Sequence, residues 1–109
     1  LWFDAEIRKL KIPSENINGY DKEVKTHTEA ADLIVANKAD AALGLQAAAH
    51  QHGLDFIPLF EERYDLVLPR ENEEALVPLL EYLQTSAFRN SLVILTGYNT
   101  AHSGEQIQF

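Results

Sequence analysis

Residues 39–60 read ADAALGLQAAAHQHGLDFIPLF. A short apolar run ends at Gly44, an alanine-rich segment follows from 45 to 52, and Gly53 precedes a second apolar run at 54–60. Glycine directly after the last helical residue is a common helix stop, and Pro58 is compatible with a strand only near an edge or a bend. The stretch therefore predicts a strand, a helix and a strand in succession, as in α/β folds.

The flanking sequence continues this alternation. Thr26 and Glu29 have the spacing of a capping box at the start of a helix, and Pro78 is compatible with a helix only in its first turn. We expect an α/β fold with a mostly parallel sheet and flanking helices. The predicted helices are 1–10, 26–38, 45–52, 72–83 and 85–95, and the predicted strands are 16–20, 39–43, 54–60 and 64–68.

The composition excludes several classes of protein. The chain has 109 residues with 9 basic and 17 acidic side chains, a net charge of −8, and no Cys or Met. Nucleic-acid binding relies on Lys and Arg, and a helix that crosses a bilayer needs about 20 apolar residues. We therefore expect neither nucleic acid nor membrane as a partner, and no disulfide or zinc–thiolate site. Because the chain opens Leu1-Trp2-Phe3 without an initiator Met, we interpret it as a fragment.

Two predicted strand-to-helix junctions are candidate ligand sites, because the first N–H groups of a helix have no partner within it. At Leu43-Gly44-Leu45 no Ser, Thr, Asp or Asn occupies the cap position, so either a bound anion or water satisfies those donors. Thr26 and His27 open the other helix. They are either an oxyanion-binding pair or a simple cap beside a solvated histidine.

Other chemistry-bearing residues are less informative. Tyr64 follows a charged turn and either covers a ligand or packs in the core. His50 and His52 are two positions apart, so on a helix they point in different directions and cannot share a metal ion. The chain has no cysteine nucleophile, phosphate-binding glycine loop or dinucleotide-binding motif. We therefore expect no catalytic residue, metal or cofactor.

Several short strings stand in a fixed order along the chain: Asn18-Gly19-Tyr20, Thr26-His27, Lys38-Ala39-Asp40-Ala41-Ala42-Leu43-Gly44, Ala47-Ala48-Ala49, Gly53-Leu54-Asp55-Phe56-Ile57-Pro58-Leu59, Glu62-Arg63-Tyr64-Asp65-Leu66-Val67 and Phe88-Arg89. In combination, across residues 1–103, they resemble the periplasmic-binding-protein-like domain that follows molybdopterin-biosynthesis (MoeA-type) modules or helix-turn-helix regulators.

The resemblance implies a type 2 binding-protein fold, in which two α/β lobes hold a ligand in the cleft between them. Residues 1–62 would form most of the second lobe. Residues 63–109 would supply the return crossing strand and the C-terminal helices of an incomplete first lobe. The ligand-binding positions implied by the resemblance are Thr26, His27, Leu43, Gly44, Leu45 and Tyr64.

We accordingly predict a non-catalytic, cytoplasmic sensor domain for a small oxyanion such as molybdate or tungstate, or for a related molybdenum-cofactor precursor. Its parent would be a molybdopterin-biosynthesis or regulatory protein. Backbone N–H groups at helix ends can hold an anion even in a chain of net charge −8. Two alternatives stay open. The chain is part of a molybdopterin-biosynthesis enzyme, or it is an interaction module in which Trp2, Phe3 and Leu66-Val67-Leu68 pair with a second copy as a homodimer.

Overall fold

A computed structural model describes residues 2–107 of the chain. It is built from helices joined by extended and irregular segments. The α-helices are α1 (Trp2–Lys9), α2 (His27–Val35), α3 (Gln46–Gln51), α4 (Val77–Leu83) and α5 (Ser86–Leu95), and single 3-10 turns lie at Ser14–Asn16, Arg70–Asn72 and Glu74–Leu76. The chain divides into two compact units, Leu1–Gly44 and Leu45–Phe109. The lobe boundary expected at residue 62 stays a prediction.

The helix starts follow the local sequence. Before α2, the Glu29 N–H donates to Thr26 Oγ1 at 3.1 Å and the Thr26 N–H donates to Glu29 Oε2 at 3.2 Å, which confirms the predicted capping box. The Phe88 N–H donates to Thr85 Oγ1 at 3.2 Å at the start of α5. Pro78 lies in the first turn of α4, where a missing N–H costs no helical hydrogen bond.

The predicted parallel sheet is wrong, because no β-strand is present in residues 2–107. Residues 16–20 form the end of a 3-10 turn and a further turn, whereas 39–43, 54–60 and 64–68 have no regular structure. An extended segment becomes a strand only when its N–H and C=O groups pair with a neighbouring segment. Among residues 2–107, these apolar runs have no segment paired with them in register.

The core is small. Among the described residues, the buried side chains are Ile7, Ala30, Ala31, Ala47 and Ala48. An alanine side chain is a single methyl group, so its burial removes little apolar surface from water. Many larger apolar side chains lie exposed, including Ile57, Val67 and Ile94. Each unit is therefore held mainly by helix hydrogen bonds and local packing.

One local contact joins α4 to α5 across their short connection. The rings of Tyr82 and Phe88 lie 5.7 Å apart between centroids and are tilted by 60°, a favourable arrangement for two aromatic side chains. Thr85 lies between them and caps α5, and its hydroxyl also donates to the Tyr82 carbonyl at 2.6 Å. The turn thus fixes both the start of α5 and its contact with α4.

Replacement of the α2 cap tests how far the capping box stabilises the first unit. We expect Thr26→Ala to lower the free energy of unfolding by about 1 kcal/mol, because the Glu29 N–H loses its acceptor. Urea unfolding followed by circular dichroism measures this. Thr28→Ala, an exposed substitution in the same helical turn, is the matched control and leaves stability nearly unchanged. Equal losses for the two variants would contradict the assignment.

Gly53 and Gly104 allow backbone strain to be distinguished from steric conflict. Gly53 and Gly104 both have positive φ, +65° and +83°, where a Cβ atom costs about 1–2 kcal/mol. A Cβ at Gly53 meets nothing within 4 Å, but one at Gly104 would lie 2.7 Å from the Leu83 carbonyl oxygen. We expect Gly104→Ala to lower the melting temperature clearly more than Gly53→Ala. A similar melting temperature for both variants would contradict the close approach at Gly104.

Candidate functional site

At the start of α2, the hydrogen bonds of the capping box are formed, and two further backbone N–H groups are available as donors. Glu29 Oε2 accepts from the backbone N–H groups of Lys25 and Thr26, at 2.8 and 3.2 Å. Thr26 therefore serves as the cap, which was one of its two predicted roles. Within residues 2–107, no acceptor engages the backbone N–H of His27 or Thr28, the first two residues of the helical segment. These groups, at the positive end of the α2 dipole, can bind an anion.

Gly44 lies beside His27, although seventeen positions separate them in the sequence. A Cβ built at Gly44 would lie 3.9 Å from His27 Nδ1, an ordinary van der Waals distance, and no other heavy atom approaches it as closely as 4 Å. The φ angle of Gly44 is not positive. Neither the backbone nor packing therefore requires glycine here, and the space next to the imidazole is open. Two predicted ligand residues thus share one exposed surface of the first unit.

The start of α3 offers less room. Leu45 is its N-cap residue and makes no side-chain cap hydrogen bond, as its sequence predicted. Gly97, however, lies against Gln46, since a Cβ at Gly97 would come within 2.7 Å of Gln46 Cβ. The loop after α5 thus occupies part of the space beside this helix end. The sequence analysis missed this contact, because nothing local links positions 51 residues apart.

Leu43 and Tyr64 are both exposed, and they belong to different units. The Tyr64 hydroxyl donates to Glu62 Oε2 at 3.3 Å. The negative charge of Glu62, together with this hydrogen bond, raises the pKa of Tyr64 above that of an ordinary phenol. Tyr64 is therefore a neutral hydrogen-bond donor at physiological pH and does not pack in a core.

A separate, open cavity of about 350 Å³ lies in the first unit. It is lined by Ser14, Glu15, Ile17, Asn18, Gly19, Tyr20 and Asp21. None of the predicted ligand residues lines it, and the carboxylates of Glu15 and Asp21 oppose the entry of an anion. The site at His27 and Gly44 is therefore distinct from this cavity.

A hydrogen bond from the Tyr20 hydroxyl to Asp4 Oδ1 joins the cavity wall to α1. This bond is the main reason why the pKa of Asp4 is lowered and the pKa of Tyr20 is raised. The ring of Tyr20 also packs near that of Phe3, with 6.2 Å between centroids. Sequence reasoning missed the pair, because sixteen positions separate the two polar side chains and neither lies in a recognisable motif.

Residues 2–107 contain neither a cluster of metal ligands nor a helix that could span a membrane. Within residues 2–107, no group of three or more His, Asp or Glu side chains is placed to hold a metal ion. His52 Nδ1 lies 2.8 Å from the Ala48 carbonyl oxygen, so this ring is engaged by its own helix. No helix in the same range has the length and apolar character needed to span a bilayer.

Comparison with known proteins places the chain in a family. The family model described as PBP superfamily domain matches residues 1–84. This chain belongs to the periplasmic-binding-protein (PBP) superfamily. The membership confirms the broad resemblance seen in the sequence, whereas the link to molybdopterin biosynthesis stays a prediction. No solved structure matches the chain.

Two related proteins align with nearly all of this PBP superfamily member. The Bacillus subtilis (strain 168) protein YvgK is 36% identical over 104 residues, which are 95% of this chain and 34% of YvgK. A Clostridium pasteurianum protein encoded in the 5′ region of a 2Fe-2S ferredoxin gene is 33% identical over 105 residues, 94% of this chain and 93% of that protein. The chain thus spans about a third of the Bacillus relative.

The contribution of the Asp4–Tyr20 pair to the stability of the fold depends on pH. Because the folded pKa of Asp4 is lowered, the pair stabilises the fold above the ordinary carboxyl range and loses this effect as pH falls below about 4. The raised pKa of Tyr20 gives stabilisation that is lost as pH rises above about 10.

We expect Tyr20→Phe to raise the pKa of Asp4 towards its ordinary value, because the hydroxyl donor is removed. Carbon-detected NMR titration of the Asp4 carboxyl measures the change. Tyr82→Phe is the matched control, since Tyr82 lies in the other unit and leaves the Asp4 titration unchanged. An identical Asp4 titration in Tyr20→Phe and the unsubstituted chain would refute the hydrogen bond as its cause.

Proposed function

We propose that this chain is a non-catalytic ligand-binding domain that takes a small oxyanion of the molybdate or tungstate type, or a related molybdenum-cofactor precursor. Its membership in the PBP superfamily supports a ligand-binding role. The observation that carries the oxyanion class is the open surface where Gly44 lies beside the His27 imidazole at the start of α2. A cytoplasmic location, in a protein of molybdenum metabolism, belongs to the same proposal.

The chemistry of this space suits an anion. The α2 dipole contributes a positive partial charge, and the backbone N–H groups of His27 and Thr28 are donors. A ring N–H of His27 can add a further donor, and hydrogen bonds to an ionised acceptor are stronger than neutral ones. These groups act locally, so the net charge of −8 does not prevent binding, although it slows the approach of an anion.

Selection among anions would depend on access to the imidazole. The absence of a side chain at Gly44 leaves the imidazole accessible from that side, whereas a larger side chain would cover it. Glu29 has a different role: its Oε2 atom accepts the N–H groups of Lys25 and Thr26. In this proposal it holds the turn before α2 and does not bind the ligand.

Isothermal titration calorimetry of the chain with molybdate, tungstate and sulfate tests the proposal. We expect heat with at least one of the three. His27→Ala removes a donor, and Gly44→Val fills the space beside the imidazole, so each should weaken binding at least tenfold. His50→Ala, which removes an exposed histidine from α3, is the matched control and binds as the unsubstituted chain does. The absence of heat with all three anions, or unchanged binding by His27→Ala, would overturn the oxyanion site.

A further inference from the structure

An asparagine followed directly by glycine occurs once in the chain, at Asn18-Gly19. The other five asparagines all precede larger residues: they are Asn16, Asn37, Asn72, Asn90 and Asn99. Glycine has no side chain that could shield its backbone nitrogen, so the Gly19 nitrogen is accessible to the side-chain carbonyl carbon of Asn18. Asn18 is therefore the asparagine at which attack by the following backbone nitrogen is least hindered.

The turn that contains Asn18 leaves both reacting groups free. Asn18 is exposed. Within residues 2–107, its side-chain amide makes no hydrogen bond and the Gly19 N–H has no acceptor. Gly19 has a φ of +83°, and a Cβ built there would meet only Lys22 Cδ, at 3.9 Å. The nitrogen and the carbonyl carbon are thus neither engaged in other bonds nor crowded by neighbours.

The fold holds the other asparagines more firmly. Asn90 lies within α5, and Asn99 Oδ1 accepts the Ala101 N–H at 3.0 Å. After the remaining three asparagines, the N–H of the next residue donates to a backbone carbonyl at 2.8–3.1 Å: Ile17 to Ser14, Lys38 to Leu33 and Glu73 to Arg70. A nitrogen fixed in such a bond is not free to turn towards the preceding side chain. Sequence and structure thus single out the same asparagine.

We propose that Asn18-Gly19 is a self-modification site, at which Asn18 is deamidated by its own backbone. Hydroxide removes the proton of the Gly19 N–H, and the nitrogen forms a bond to Asn18 Cγ. The bond from Cγ to Nδ2 breaks, the leaving group takes a proton from water and departs as ammonia, and a five-membered cyclic imide remains. Water then opens the ring at one of its two carbonyls, which gives aspartate or isoaspartate. The net reaction consumes one water and releases one ammonia, without an oxidant or a reductant.

The turn has to open before the ring can close. One backbone hydrogen bond closes the turn around Asn18, from the Tyr20 N–H to the Ile17 carbonyl at 3.2 Å. Rotation of the Asn18 backbone towards the cyclic geometry breaks this bond but no α-helical hydrogen bond, because residues 18–21 lie in a turn outside the helices. The fold therefore slows the reaction only modestly compared with a flexible chain.

The product changes the wall of the open cavity in the first unit. Asn18 lines this cavity together with Glu15 and Asp21. An amide both donates and accepts hydrogen bonds, whereas the carboxylate that replaces it only accepts them. A third carboxylate makes the cavity wall more negative, and isoaspartate also lengthens the backbone by one carbon atom. The oxyanion site proposed at His27 and Gly44 takes no part in the reaction, so the two proposals are tested separately.

Peptide mapping by mass spectrometry, after incubation of the folded chain at mildly alkaline pH, tests the proposal. Cleavage after lysine gives a peptide of residues 12–22 that contains both Asn16 and Asn18, so fragmentation compares the two within one molecule. We expect Asn18 to exchange its NH2 group for OH at least tenfold faster than Asn16, to yield isoaspartate as one product, and to react in proportion to hydroxide concentration. A smaller difference in rate, or a product without isoaspartate, would overturn the proposal.

The free peptide of residues 12–22 separates the effect of the fold from that of the sequence. We expect Asn18 in the folded chain to react no more than tenfold more slowly than in this peptide, and a larger difference would contradict the accessible turn. Asn18→Gln should remove the modification, because its longer side chain would have to close a six-membered ring. Asn16→Gln is the matched control and leaves the rate at Asn18 unchanged. An undiminished modification of the Asn18→Gln chain within residues 12–22 would show that another residue reacts, and it would overturn the assignment.

Discussion

Extended backbone cannot satisfy its own hydrogen-bonding groups, and this constraint governs residues 54–69. A helix closes its hydrogen bonds four residues back along the same segment, but an extended segment needs a second segment beside it. The helices of each unit form independently of this requirement, whereas the long connection between α3 and the first 3-10 turn after it has no ladder within residues 2–107. Most of its apolar side chains lie exposed, and among residues 2–107 the core is limited to Ile7 and a few alanines.

Membership in the PBP superfamily gives this exposure a physical context. The Bacillus relative is about three times as long as the matched segment, so in that protein the matched residues are one part of a longer chain. In the present chain, the N–H and C=O groups of these extended residues still require hydrogen-bonding partners.

The proposed oxyanion site lies within one of the two units. His27 and Gly44 meet in the Leu1–Gly44 unit, where α2 supplies a positive helix end and a cap that Glu29 already satisfies. Tyr64, which the family resemblance suggested as a ligand residue, lies in the Leu45–Phe109 unit, and its hydroxyl donates to Glu62. The proposed oxyanion site therefore involves no residue from the extended segment.

Local sequence by itself determined the helices of this protein. The capping box at Thr26, the cap at Thr85 and the position of Pro78 act within one or two turns, so their effects can be predicted without knowledge of the rest of the chain. Sequence also located the segments that are not helical. Only the tertiary structure decided that these segments form no sheet, that His27 lies beside Gly44, and that Gly97 contacts Gln46. The two glycine contacts join groups 17 and 51 positions apart, and the side-chain pattern of one segment carries no information about which other segment will lie against it.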